Sequence, residues 1–174
     1  DIFSTEIATS SAIVARVNGE MWDLTRPLEF DCEVELFSAS SPEGLETLWH
    51  SAAHCVGQAL EQEFGESIQL CDGPALRADG GSGGFFYEMH VADGRRVTES
   101  DFPALMKRLK TITKQKQAFE RVRVSREEAM EMFRSNPFKR HILDTVIGSC
   151  DDDDDDDSSS SRSRNNPEIT LYRC

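Results

Sequence analysis

Between Ser41 and Gly65 the sequence carries the start, the body and the stop of one long helix. Ser41 can accept from backbone N–H groups of the first turn, Pro42 suits the first helical position because its missing N–H has no partner there, and Glu43 lies near the positive end of the macrodipole. Gly65 supplies the stop. Leu45, Leu48, Ala52, Cys55, Val56, Ala59, Leu60 and Phe64 recur at helical spacing, whereas Glu43, Glu46, Gln58, Glu61, Gln62 and Glu63 fall mainly on the other side. Such a stripe is stable only when another layer covers it, so the chain must pack this helix on a sheet or on other helices.

The same helix holds the residues with the most chemistry. His50 and His54 are four apart, so their side chains are neighbours on one face, at the flank of the apolar stripe. An imidazole on such a border can be partly desolvated and still reach a substrate. The spacing alone is also that of two histidines tucked against a sheet and bonded to carbonyls. Ser51 stands where a zinc-protease helix would carry its glutamate base.

The flanking segments predict an α+β fold. Residues 1–11 are compatible with two or three helical turns. Ala12–Val17 reads as a strand, Asn18-Gly19 is a strong hairpin signal, and Met21–Leu24 returns. Arg26-Pro27-Leu28 makes a loop, and Cys32–Phe37 alternates as a third strand. Beyond the helix, Ser67–Cys71 is a short strand, a glycine-rich loop runs to Gly84, and Phe85–Val91 reads as one aromatic strand. Thr98–Asp101 resembles a capping box opening an amphipathic helix that runs to about Lys116. Phe119–Val124 is a strand, Ser125–Glu128 caps a helix that Asn136-Pro137 stops, Phe138–Val146 is a short helix, and Ile169–Arg173 is a final strand.

The totals narrow the class. With 174 residues and 38% hydrophobic side chains the chain can build one large or two small domains with a modest core. Its net charge is −13, but Asp151–Asp157 supplies seven of those charges, leaving −6 over the rest. Residues 148–166 are expected to form a disordered acidic insertion. So acidic a chain is not a general nucleic-acid coater, though it can hold a small pocket for an RNA end. Five cysteines with no CxxC spacing point to reduced thiols in a cytosol-like compartment. No stretch is long enough to span a membrane. The chain opens without methionine and stops on a strand-like run, so both ends are read as cut.

Six segments add a resemblance: Val17–Leu24, Arg26–Glu29, Trp49–His54, Gly84–Tyr87, Lys116–Arg121 and Tyr172–Cys174. In this order and spacing the chain resembles the N-terminal part of eukaryotic-type threonyl-tRNA synthetases. The resemblance implies that residues 1–44 are the later part of a TGS domain, a ubiquitin-like β-grasp module, truncated at its start. It implies that residues 45–174 are most of the domain that hydrolyses serine wrongly attached to threonine tRNA. In that family an HxxxH pair meets a CxxxH pair; His50 and His54 match the first, and the second is expected just past Cys174. Lys139 matches the family's editing lysine and Tyr87 the second tyrosine of its aromatic strand, while Phe86 and Glu88 replace the usual tyrosine and aspartate beside it.

The implied catalytic set is therefore His50, His54, Lys139 and Tyr87. Deacylation of an aminoacyl ester needs a positioned water, a proton acceptor and positive charge near the developing oxyanion. His50 or a water it holds serves the first two, Lys139 the third, and His54 orients its partner or the terminal ribose. Editing adds selectivity that a synthetic site for threonine cannot achieve against the smaller serine. Zinc on His50 and His54 is the competing reading of the same residues. The resemblance further implies a cytoplasmic parent that attaches threonine to its tRNA with ATP. ATP, magnesium and zinc are then expected only in the parent's aminoacylation core, with its homodimer contacts also outside this stretch. The partner is the acceptor end of threonine tRNA, with no DNA and no membrane, and the fragment alone is expected to be nearly inactive. The alternatives are a non-catalytic TGS-type binding module and the related editing domain of alanyl-tRNA synthetases. His90 and His141 read as ordinary solvated side chains, and Cys55 and Cys71 as core thiols.

Overall fold

The computed structural model describes residues 11–76, 83–148 and 168–173. The helical turns expected at 1–10, most of the glycine-rich loop and the acidic run lie outside them. Two compact units emerge: Asp1–His54 with Gly73–Phe86, and Cys55–Asp72 with Tyr87–Cys174. The mixture of helices and short antiparallel sheets is the α+β class expected.

In the first unit, strands β1 (Ala12–Val17), β2 (Glu20–Trp22) and β3 (Val34–Ser38) form an antiparallel sheet in the order β2-β1-β3. The hairpin turns where expected: Asn18 and Gly19 have φ of 48° and 90°, the left-handed pair a two-residue turn of this hand requires. Asn18 does more, since its side-chain oxygen accepts from the Glu33 N–H at 2.9 Å and so also fixes the entry to β3. Ala15, Val17 and Trp22 are buried, and Leu24, Cys32, Val34 and Leu36 pack against them. Trp22 donates its indole N–H to the Arg26 carbonyl at 3.2 Å, while the Arg26 guanidinium stacks 3.2 Å above the same ring. The Arg26-Pro27 loop is thereby clamped onto the sheet.

Helix α1 (Pro42–Phe64) starts as its signals demand: the Ser41 hydroxyl accepts from Gly44 N–H at 3.2 Å. Arg16 on β1 bonds Glu43 in the first turn and Glu35 on β3, each at 2.9 Å. The expected boundary at residue 44 falls inside this first turn. Gly65 ends the helix at φ 59°. Pro42–His54 belongs to the first unit and Cys55–Phe64 to the second. The first unit also holds a small ladder of β5 (Ala75–Leu76) with β6 (Gly84–Phe85).

In the second unit, β4 (Ile68–Leu70) pairs antiparallel with β7 (Met89–Val91), and β8 (Glu120–Val124) with β9 (Ile169–Arg173). Helices α2 (Phe102–Gln115), α3 (Arg126–Met132) and α4 (Pro137–Gly148) complete it. Ala59, Leu60, Ile68, Ile112, Ala129 and Leu143 are buried. Arg108 of α2 reaches Glu63 of α1 at 2.5 Å. The Ser125 capping box forms in full, with Ser125 Oγ accepting from Glu128 N–H and the Glu128 carboxylate from Ser125 N–H.

Three local expectations change. The aromatic stretch is two strands, because Phe85 pairs with β5 whereas Met89–Val91 pair with β4, and Phe86–Glu88 bridge the two ladders. Thr98–Asp101 forms a turn ahead of α2: the Asp101 carboxylate accepts from the Thr98 N–H and hydroxyl and pairs with Arg95, but caps no helical N–H. Asn136-Pro137 opens α4, with Pro137 at the first helical position, where its missing N–H leaves no gap.

Candidate functional site

In the first unit, α1 places His50 and His54 on one face with Nε2 atoms 3.0 Å apart and ring centroids 4.8 Å apart at 47°. His50 is exposed and His54 half-buried, while Ala53 on the inner face is fully enclosed. One ring must donate and the other accept, so at least one imidazole is neutral. Ser51 is committed elsewhere, its hydroxyl donating to the Thr47 carbonyl at 2.8 Å. One turn earlier Thr47 does the same to Glu43 at 2.9 Å. Neither hydroxyl is poised as a nucleophile. Beside the pair, Trp49 lies directly over Gly83, where any side chain would collide with the indole.

Two zinc-bound imidazole nitrogens in a tetrahedron, with Zn–N of ~2.0–2.1 Å, stand about 3.3–3.4 Å apart. The observed 3.0 Å suits a direct hydrogen bond better. Among the described residues no group of three or more His, Cys, Asp and Glu forms a metal cage.

The second unit holds the other two residues, each supported by one that sequence reasoning passed over. Lys139 lies in the first turn of α4, and Asn136 sets its place. The Asn136 Oδ1 accepts from the N–H groups of Phe138 at 3.1 Å and Lys139 at 3.0 Å, while its Nδ2 donates to the Leu70 carbonyl on β4 at 2.8 Å. One side chain thus caps the helix and pins it to the strand whose next residues are Cys71 and Asp72. Burial pulls the Lys139 ammonium below its usual range, and Asp72, the Cys71 sulfur and Glu61 partly restore it. Glu61 on α1 is shifted upward by lost solvation, offset by Lys139. Lys139 is therefore a half-buried cation facing acidic groups, where electrostatic contacts are stronger than in water.

Tyr87 is seated against α1. A methyl added to Gly57 would lie 2.8 Å from its Cε2 and 2.9 Å from its Cζ, so the helix approaches the ring only because position 57 has no side chain. An isolated glycine inside a helical pattern was the available signal. The backbone around Tyr87 is held too, since Glu88 donates to the Asp72 carbonyl at 2.6 Å and accepts from Cys71 N–H at 2.8 Å. Cys55 and Cys71 are half-buried free thiols whose ionisation burial disfavours. His90 and His141 are exposed, as expected of ordinary solvated side chains, and the His90 ring lies 5.3 Å from that of Phe138.

Comparison with known proteins adds a family signal. Residues 4–38 match the TGS domain family. The chain is 38% identical over 164 residues to the cytoplasmic threonine–tRNA ligase 2 of Xenopus tropicalis, covering 94% of this chain and 17% of that protein. It is 39% identical over 171 residues to the human cytoplasmic threonine–tRNA ligase 2, covering 98% and 18%. With the mitochondrial threonine–tRNA ligase 1 of Arabidopsis thaliana it shares 41% over 165 residues, covering 95% and 20%. The chain spans about a fifth or less of the length of these relatives, and over nearly all of its own length, with the TGS match at 4–38, it is similar to threonine–tRNA ligases.

Proposed function

We propose that this chain is the part of a threonine–tRNA ligase that hydrolyses serine wrongly attached to threonine tRNA, acting on the tRNA acceptor end. The observation that carries the reading is the His50–His54 contact, Nε2 to Nε2 at 3.0 Å on a solvent-facing edge of α1, in a chain similar to those ligases.

In a neutral pair the donor ring bonds its neighbour through Nε2–H, which leaves its own Nδ1 unprotonated. That nitrogen takes the proton from a water as the water oxygen attacks the ester carbonyl. The resulting imidazolium keeps its Nε2–H bond to the second histidine, and the bond strengthens because it becomes charge-assisted. As the tetrahedral intermediate collapses, the ester C–O bond breaks and the imidazolium returns its proton to the departing ribose oxygen. The oxyanion requires positive charge, and the reading gives that role to Lys139 because it matches the editing lysine of the family that the chain resembles. Tyr87 contributes a ring fixed by Gly57 and a phenol for substrate binding. No metal is needed in this scheme.

The same reading assigns ATP, magnesium and zinc to an aminoacylation core elsewhere in the parent, along with its dimer contacts, and places the parent in the cytoplasm. The test is release of labelled serine from Ser-tRNA(Thr) by the longer protein containing this chain. His50→Ala should lower the rate about 100-fold or more, and a zinc chelator should leave it unchanged. An undiminished rate for His50→Ala would refute the assignment, and a rate abolished by the chelator would hand the two histidines to zinc.

A further inference from the structure

The second unit carries a feature that the deacylation chemistry does not use. On α2, Lys107, Lys110 and Lys114 stand at i, i+3 and i+7, opposite the buried Ile112, and with Pro103, Met106 and Thr111 they line a shallow open depression of about 450 Å³. All three lysines are exposed, and none makes an ion pair among the described residues. Arg108, the other cation in the body of the helix, faces another way and is bonded to Glu63 at 2.5 Å.

An ordinary solvated helix face mixes signs, because opposite charges three or four residues apart stabilise it and like charges destabilise it. Residues 102–119 contain five cations and no carboxylate, in a chain of net charge −13. The pairs Lys107/Lys110 and Lys110/Lys114 are like charges at the unfavourable spacings. The macrodipole favours only Lys114, the one in the last turn. The stripe therefore exists against local electrostatics. Its three ammoniums span about 10 Å of helix axis, at ~1.5 Å per residue.

We propose that the Lys107–Lys110–Lys114 stripe is a docking surface for the sugar-phosphate backbone of an RNA duplex. Lysine binds phosphate as a mobile point charge with no demand for planar geometry, which suits a backbone contact that positions an RNA without reading its sequence. The depression offers one hydroxyl, from Thr111, and no deep apolar slot. An amphipathic peptide or a lipid surface would need a broader apolar face. The inference rests on RNA being the partner, as in the function proposed above, but is read by binding alone, so loss of deacylation and loss of this surface are separable.

The experiment measures the affinity of the chain for a fluorescein-labelled RNA hairpin with a duplex stem, by anisotropy at several salt concentrations. Lys107→Gln/Lys110→Gln/Lys114→Gln should bind about tenfold or more weakly at low salt, and the slope of log affinity against log salt should fall by about 2–3, one unit per lost phosphate contact. The matching triple arginine variant should retain both, and circular dichroism should show all three proteins equally folded. Unchanged affinity and slope in the glutamine variant would overturn the proposal. So would a wild-type chain that ignores the hairpin while binding polyglutamate or phosphatidylserine vesicles through the same lysines.

Discussion

Replacing Gly57 with alanine sets two opposing effects against each other at a point the structure defines. The new methyl would stand 2.8 and 2.9 Å from Tyr87 ring carbons and 3.2 Å from Leu70 Cδ1. Relaxed carbon contacts lie at about 3.5–4.0 Å, so the ring contacts overlap by at least ~0.6 Å. Alanine in a helix interior is better than glycine by about 1 kcal/mol. Overpacking costs about 1–3 kcal/mol, and here the obstacle is the body of a rigid ring, so a cost near 2 is the reasonable figure. Gly57→Ala should therefore destabilise the protein by about 1 kcal/mol net. In a Tyr87→Ala background only the flexible Leu70 tip remains in the way, and the same change should stabilise by about 0.5–1 kcal/mol. The double-mutant cycle should thus give a coupling of about 2 kcal/mol, read from urea midpoints with unchanged denaturant slopes. Gly57→Ala should also slow serine release, because the ring must move. A stabilised single variant, or a coupling near zero, would show that the glycine does not seat Tyr87.

Asn136→Ala should cost about 2 kcal/mol, roughly half for the lost helix cap and half for the bond to the Leu70 carbonyl; Asn136→Asp keeps the cap and should cost about half as much, and equal losses for the two would contradict that division. For Lys139 the sign follows from its lowered pKa: between its folded-state value and the ordinary lysine value of 10.5 the unfolded chain holds more protons, so the wild type should gain stability relative to Lys139→Met as pH rises through that window. Parallel stability curves for the two proteins across alkaline pH would show that the ammonium is not desolvated.

Local rules carried furthest where the signal and its consequence lie within a few residues. The Asn18-Gly19 turn, the Ser41 cap, the Gly65 stop and the Ser125 capping box all form as read, because each rests on backbone groups satisfied within one turn. The His50–His54 contact belongs here too, since helix periodicity alone brings the rings together. Asn136-Pro137 was legible as a helix terminus but not as which one. Proline cannot continue a helix yet is well suited to begin it, and the choice is made by Asn136 reaching β4, 66 residues earlier in sequence.

What the sequence by itself determined is the helices, most of the strands with their approximate ends, and the imidazole pair, because propensity, capping and period are properties of neighbours in the chain. What only the tertiary structure decided is which strands pair, so that one aromatic run serves two ladders, and which distant groups surround Lys139 and Tyr87. Gly57, Glu61, Leu70, Asp72 and Asn136 gained their roles through contacts 13 to 78 residues away. Close packing and the balance between burial and counter-charge depend on three-dimensional neighbours, and no local pattern encodes those.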